Sequence, residues 1–247
     1  MKMINPIAFE MFGIEVYWYG ITYALGFIFS YFFIKHYLKY LKINEEMFDD
    51  MFFYFMFFSV IGGRIFEIVF YNFSYYFSNP LKVFYVWEGG MSIHGGIFFG
   101  FLTLYYYSKK YKVDVLKLTD VFVIPASLFL AFGRLANFIN QELVGVVTSS
   151  KLGVVFPMVD DKVRYPTQLF ESVKNMVVFQ VLFYLDNFKK LKSGMITAWF
   201  LILYSFGRFF IDFLRTADVN LGIISMGQLL SLVSGVVGVW LFVKAYK

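Results

Sequence analysis

Seven apolar stretches decide what this chain can fold into. They cover residues 16–34, 47–70, 91–107, 119–139, 169–185, 194–213 and 221–243, with polar connections between them. A helix needs about 20 residues to cross the hydrocarbon core of a bilayer, and each stretch is close to that length. None shows the sustained alternation of a membrane β-barrel. Backbone N–H and C=O groups in lipid must be paired internally, which a helix does within one segment. The expected fold is therefore all-α, a polytopic membrane protein with seven transmembrane helices in a single domain, residues 1–247. Composition agrees: 60% of residues are hydrophobic and 16% charged, against about 25% charged in a soluble domain.

Basic residues set the expected orientation. With the N-terminus outside and the C-terminus cytoplasmic, the inner loops and tail hold twelve Lys and Arg and the outer segments six, as the positive-inside bias requires. The net charge of +5 reads as this bias, with no nucleic-acid partner implied. The chain has no cysteine, so it supplies no disulfide, thiolate metal ligand or thiol nucleophile. Two histidines are too few for a multi-histidine metal site, and no metal or cofactor is expected. The first fifteen residues carry Glu10 and Glu15 and lack the basic flank, apolar centre and cleavage site of a signal peptide.

In this orientation the polar residues of the stretches gather at one side. Arg64 and Glu67, Arg134 and Asn137, and Arg208 and Asp212 come late in outward-running spans; Tyr19, His94 and Glu171 come early in inward-running ones. At 1.5 Å rise per residue, most lie within roughly 10 Å of the outer helix ends. Charge at membrane depth is costly and marks function by default. The expectation is a polar cavity opening near the outer headgroup region.

The densest group is residues 132–145. Arg134, Asn137 and Gln141 follow an i, i+3, i+7 spacing and would share a helix face. Arginine offers a planar fork of donors suited to phosphate; the bland alternative is an arginine that snorkels to the interface above amides that cap the helix. Arg208, Asp212 and Arg215, at i, i+4, i+7, fit either a phosphate clamp or an ion-pair ladder. Arg64 and Glu67, at i and i+3, fit structural partners or a headgroup contact, with Gly62-Gly63 before them permitting close helix approach. Glu171 can pair with Lys174 or with an arginine on another helix. His94, flanked by glycines, is the side chain suited to proton transfer near neutral pH, although a lone histidine is often structural. His36 sits in a lysine-containing inner loop and reads as a solvated residue. Tyr17 and Trp18 fit an interfacial belt, and Tyr19 fits that belt or a hydrogen bond to a headgroup.

Gly133-Arg134-Leu135-Ala136-Asn137-Phe138-Ile139-Asn140-Gln141-Glu142-Leu143-Val144-Gly145 resembles the signature Gly-Arg-x-(Gly/Ala)-Asn-Phe-x-Asn-x-Glu-x-x-Gly of bacterial prolipoprotein diacylglyceryl transferases. Similar stretches follow the family order along nearly the whole chain: Trp18-Tyr19-Gly20, Gly62-Gly63-Arg64-Ile65, Trp87-Glu88-Gly89-Gly90-Met91-Ser92-Ile93-His94-Gly95-Gly96, Tyr165-Pro166-Thr167-Gln168-Leu169-Phe170-Glu171, Gly207-Arg208 and Ile224-Ser225-Met226-Gly227-Gln228. Ala136, Val144 and a short loop after the signature depart mildly from the family pattern.

The resemblance implies a multi-pass enzyme of the bacterial cytoplasmic (inner) membrane, with its site facing the outer leaflet. It would move the diacylglyceryl group of phosphatidylglycerol to the lipobox cysteine thiol of a prolipoprotein signal peptide, forming a thioether and releasing glycerol 1-phosphate. That displacement needs a deprotonated thiol, a stabilised phosphate leaving group and two aligned substrates. The residues supply candidates. Arg134 and Arg208 would bind and stabilise phosphate. Asn137, Glu142 and Arg64 would complete the phosphatidylglycerol site. His94 is the candidate base, with Tyr19 assisting. An organic-anion transporter would place polar residues through both leaflets and break its helices at the midplane, whereas the inner halves of these spans are nearly bare of charge. A purely structural or lipid-binding protein would need neither the glycine-flanked histidine nor two arginine faces.

Overall fold

A computed structural model describes residues 5–11, 13–85, 89–189, 191–216 and 224–246. Trp87, Glu88, the opening residues 221–223 of the seventh apolar stretch, and Lys2, Lys190 and Lys247 of the charge count lie outside these. The chain is mainly helical, and each of the seven stretches contains a long helix. They are α1 (Trp18–Lys35), α3 (Glu45–Phe66), α5 (Ile93–Lys110), α6 (Val115–Ile139), α7 (Thr167–Phe188), α8 (Met195–Asp212) and α9 (Met226–Tyr246). The short helices α2 (Leu38–Leu41) and α4 (Phe73–Ser78) lie in the connections, and a π-helical turn, Glu67–Tyr71, continues α3. Four segments are long and apolar enough to cross a membrane: Glu45–Tyr71, Val115–Ile139, Met195–Asp212 and Met226–Tyr246. The protein is a multi-pass, helical membrane protein. Two small antiparallel hairpins were not expected: β1 (Ile7–Met11) with β2 (Ile14–Tyr17), and β3 (Val154–Val155) with β4 (Val163–Arg164).

The contacts divide the chain into two compact units, residues 1–34 with 119–247 and residues 35–118. In the first, Ile124, Val178, Leu182 and Ile196 form a buried core against Phe179, Trp199 and Phe33. Close approach depends on small residues. A Cβ on Gly26 would overlap the Phe129 ring, 1.7 Å from Cδ2, and one on Gly238 would press on Leu201 and Ile202. Ser205 and Ser234 join α8 to α9 by a 2.8 Å hydrogen bond. Asp120, near the start of α6, accepts from the backbone N–H groups of Gly194 at 2.6 Å and Thr197 at 2.7 Å. One carboxylate thus satisfies two donors at the N-terminus of α8, which its helical bonds leave open.

In the second unit α3 packs on α5 through facing glycines. A Cβ on Gly62 would lie 2.6 Å from the Gly95 carbonyl oxygen, and one on Gly95 would lie 2.1 Å from that of Gly62. Only backbones this bare approach so closely. Lys110 and Tyr111 meet Asp50 at 2.9 Å at the far end of the same helix pair.

Candidate functional site

In the first unit the polar residues converge where α6 and α8 end and α7 and α9 begin. Arg134 is half-buried in the last turns of α6 and donates to Asn137 Oδ1 at 3.2 Å. Asn137 donates in turn to Glu142 Oε2 at 3.1 Å, and Asn140 to Glu142 Oε1 at 3.1 Å. The carboxylate therefore acts on Arg134 through Asn137. Among the described residues no carboxylate hydrogen-bonds to Arg134, although Glu171 acts on it electrostatically, so most of its donor fork stays available.

The chain then turns sharply. Helix α6 ends at Ile139, and Gln141 and Leu143 adopt left-handed backbone, φ 58° and 57°. The expected face Arg134–Asn137–Gln141 stops at Asn137. Gln141 instead accepts from the backbone N–H of Met158 at 2.9 Å. Gln168 and Thr167, at the start of α7, donate to the carbonyls of Glu142 at 2.5 Å and Leu143 at 3.0 Å. Gly145 runs between two other strands of chain: its N–H donates to Tyr165 O at 2.9 Å and it bridges to Arg215. A Cβ there would meet Tyr165 O at 2.5 Å and Leu214 O at 2.6 Å, which explains the glycine that closes the signature. Arg164 ties this turn down by donating to Gly145 O at 3.1 Å and pairing with Asp160 at 2.6 Å. That pairing holds the Asp160 carboxyl below the usual aspartate range.

Arg208 is placed differently. It donates to Glu171 at 2.5 Å and Asp212 at 2.6 Å, and Glu171 also takes Lys174 at 2.7 Å. Glu171, 2% exposed, is thus compensated by two cations, as a buried carboxylate must be. Lys174 also stands 3.8 Å over the Tyr204 ring. Asp212 accepts from Ser225 Oγ. Ser225 and Gln228 exchange bonds with each other's backbone N–H, at 3.0 and 2.9 Å, a capping box that starts α9. Helix α8 ends at Asp212, so Arg215 lies off the face expected to carry it and pairs by its backbone with Gly145.

At the start of α1, Tyr19 Oη lies 3.3 Å from Tyr23 Oη, with ring centroids 4.9 Å apart. Tyr23 is one turn on from Tyr19, stands edge-on to Phe129, and lies within electrostatic reach of Arg134. Sequence reasoning passed over Tyr23, although its i+4 spacing from Tyr19 was there to be read.

In the second unit His94 is exposed in the first turn of α5, with Nδ1 3.4 Å from the Tyr71 hydroxyl on the π-helical turn. Arg64 does not pair with Glu67. Its five N–H donors meet five backbone carbonyls: Val83 from Nε, Gly89 and Gly90 from Nη1, and Lys82 and Tyr85 from Nη2. Glu67 accepts from Asn72 at 2.6 Å instead. Among the described residues, no three His, Asp or Glu side chains gather as a metal site would require.

The family model for prolipoprotein diacylglyceryl transferase matches residues 6–244. The chain belongs to this family. Relatives named phosphatidylglycerol–prolipoprotein diacylglyceryl transferase match it along nearly their whole length. The one from Ehrlichia ruminantium (strain Welgevonden) is 38% identical over 247 residues, covering 96% of this chain and 95% of the relative. Those from Rickettsia bellii (strain OSU 85-389) and Francisella tularensis subsp. holarctica (strain LVS) are each 38% identical, covering 98% and 99% of this chain and 95% and 96% of theirs. In this member of the transferase family, Arg134, Asn137, Glu142, Arg208 and Tyr19 fall in one unit, and His94 and Arg64 in the other.

Proposed function

We propose that the chain transfers the diacylglyceryl group of phosphatidylglycerol to the lipobox cysteine of prolipoproteins, as one transferase domain of the bacterial cytoplasmic membrane. The observation that carries this is Arg134: a cation at the end of an apolar helix, oriented by Asn137 and Glu142 and hydrogen-bonded to no carboxylate among the described residues. A guanidinium held this way is preorganised for an incoming phosphate. Arg208, already shared between Glu171 and Asp212, adds positive charge in a fixed position and exchanges less of it for a ligand.

In the reaction the cysteine sulfur attacks the glyceryl carbon that bears the phosphate. A C–S bond forms, the C–O bond to phosphate breaks, and the pair on oxygen leaves with glycerol 1-phosphate. Arg134 stabilises the charge that grows on the phosphate. His94 takes the thiol proton. The proposed topology has seven spans, the N-terminus outside, the C-terminus cytoplasmic and the site in the outer leaflet. Twelve inner against six outer basic residues support it.

The test is direct. Purified protein in phosphatidylglycerol vesicles is incubated with a lipobox peptide, and the peptide is weighed by mass spectrometry. The expected product gains one diacylglyceryl group, and Arg134→Ala forms it far more slowly. Absence of product with the wild-type protein would overturn the reading.

A further inference from the structure

Arg64 was expected to help hold the lipid headgroup. A guanidinium has five N–H donors, and in Arg64 all five are spent on carbonyls of residues 82–90. The residue is 6% exposed and its guanidinium carbon stands 4.8 Å from the Tyr76 ring centroid. A phosphate could bind there only by displacing bonds that Arg64 already makes.

What those bonds hold leads to His94. Gly89 and Gly90, both accepting from Nη1, adopt left-handed backbone at φ 88° and 74°. A Cβ on Gly90 would lie 3.0 Å from Arg64 Nη1 and 2.8 Å from the Tyr76 hydroxyl. Two residues later Ser92 N–H donates to Gly63 O at 3.0 Å, and α5 starts at Ile93. The Gly62 and Gly95 backbones then touch on the far side of His94. The run Gly62-Gly63-Arg64 thus grips the chain just before, at and just after the turn that bears the histidine.

We infer that Arg64 is a positioning residue for His94, acting through the Gly89 and Gly90 carbonyls, and is not a lipid ligand. This rests on the transferase reading with His94 as base. Lysine offers three donors from a single point and cannot span five carbonyls, so Arg64→Lys should fail as badly as Arg64→Gln.

The experiment measures thioether formation in phosphatidylglycerol vesicles, with kcat, KM for the lipid and the pH profile, for Arg64→Lys, Arg64→Gln and Tyr76→Leu. For both Arg64 variants kcat should fall by about a hundredfold, the order expected when a reacting group is displaced by an ångström. KM for phosphatidylglycerol should hold, and the acidic limb of the pH profile should move. Tyr76→Leu, which leaves every donor in place, should lower kcat less and in the same direction. Amide hydrogen exchange provides a readout that needs no activity: exchange at Ser92, whose N–H donates to Gly63 O, should quicken in Arg64→Gln and Tyr76→Leu while Gly145 stays protected. A raised KM with kcat kept, rescue by lysine, or unchanged exchange at Ser92 would overturn the proposal. If His94→Asn keeps full activity and its pH profile while exchange quickens as expected, the grip of Arg64 stands and the base assignment falls.

Discussion

At the scale of single residues, the two membrane arginines of the first unit divide the work unequally. Arg134 is oriented by an amide, and Arg208 is embedded between two carboxylates. Arg134→Ala should therefore lower kcat/KM by about 10²–10³-fold, the usual cost of a lost charge-stabilising donor, measured as thioether formation. Asn137→Ala and Glu142→Gln should each cost less, because they leave the guanidinium in place. Their double variant should be close to Asn137→Ala alone, since Glu142 reaches Arg134 through Asn137 and residues in one network do not add. A double variant showing the full sum of both losses would mean that Glu142 acts by another route.

At the scale of elements, the turn after α6 is the most constrained piece of backbone near Arg134. Gly145→Ala places a methyl group against two carbonyl oxygens, and overpacking of this kind typically costs about 1–3 kcal/mol. Thermal denaturation in detergent should show it, with activity falling alongside. The loop beyond depends on pH through Asp160. Its folded pKa is lowered by Arg164 from the ordinary 3.8, so the pair's contribution is complete above that value and is lost as pH falls through the depressed one. Limited proteolysis of residues 147–163 should stay slow at pH 5 and quicken below about pH 4, whereas Arg164→Ala should be fast at both. The Arg134–Asn137–Glu142 cluster was legible because these are polar residues in an apolar run. The turn itself was not, because left-handed backbone at Gln141 and Leu143 leaves no periodic signal. The expected helical face overran it, as the face of α8 overran Asp212.

At the scale of the molecule, hydropathy located the long helices because lipid leaves the backbone few alternatives. The cage around Arg64 was invisible for the opposite reason. Its partners are carbonyls 18 to 26 residues away, and a carbonyl carries no residue identity to read. The chain's lack of cysteine makes the proposed topology easy to check. Single cysteines at Lys151 and Lys162 should react with a membrane-impermeant maleimide on intact cells, and those at Lys109 and Lys117 should react only after lysis; the reverse pattern would invert the topology. One consequence lies in the Asp120 bond that joins the second turn of α6 to the start of α8. Counted from that staple, Arg134 lies fourteen residues along α6 from Asp120, and Arg208 lies fourteen along α8 from Gly194 and eleven from Thr197, or about 21 Å and 16–21 Å at helical rise. The staple works as the zero mark of a ruler. It fixes both cations toward the same end of the α6 and α8 pair, so a change at Asp120 should disturb Arg134 and Arg208 together.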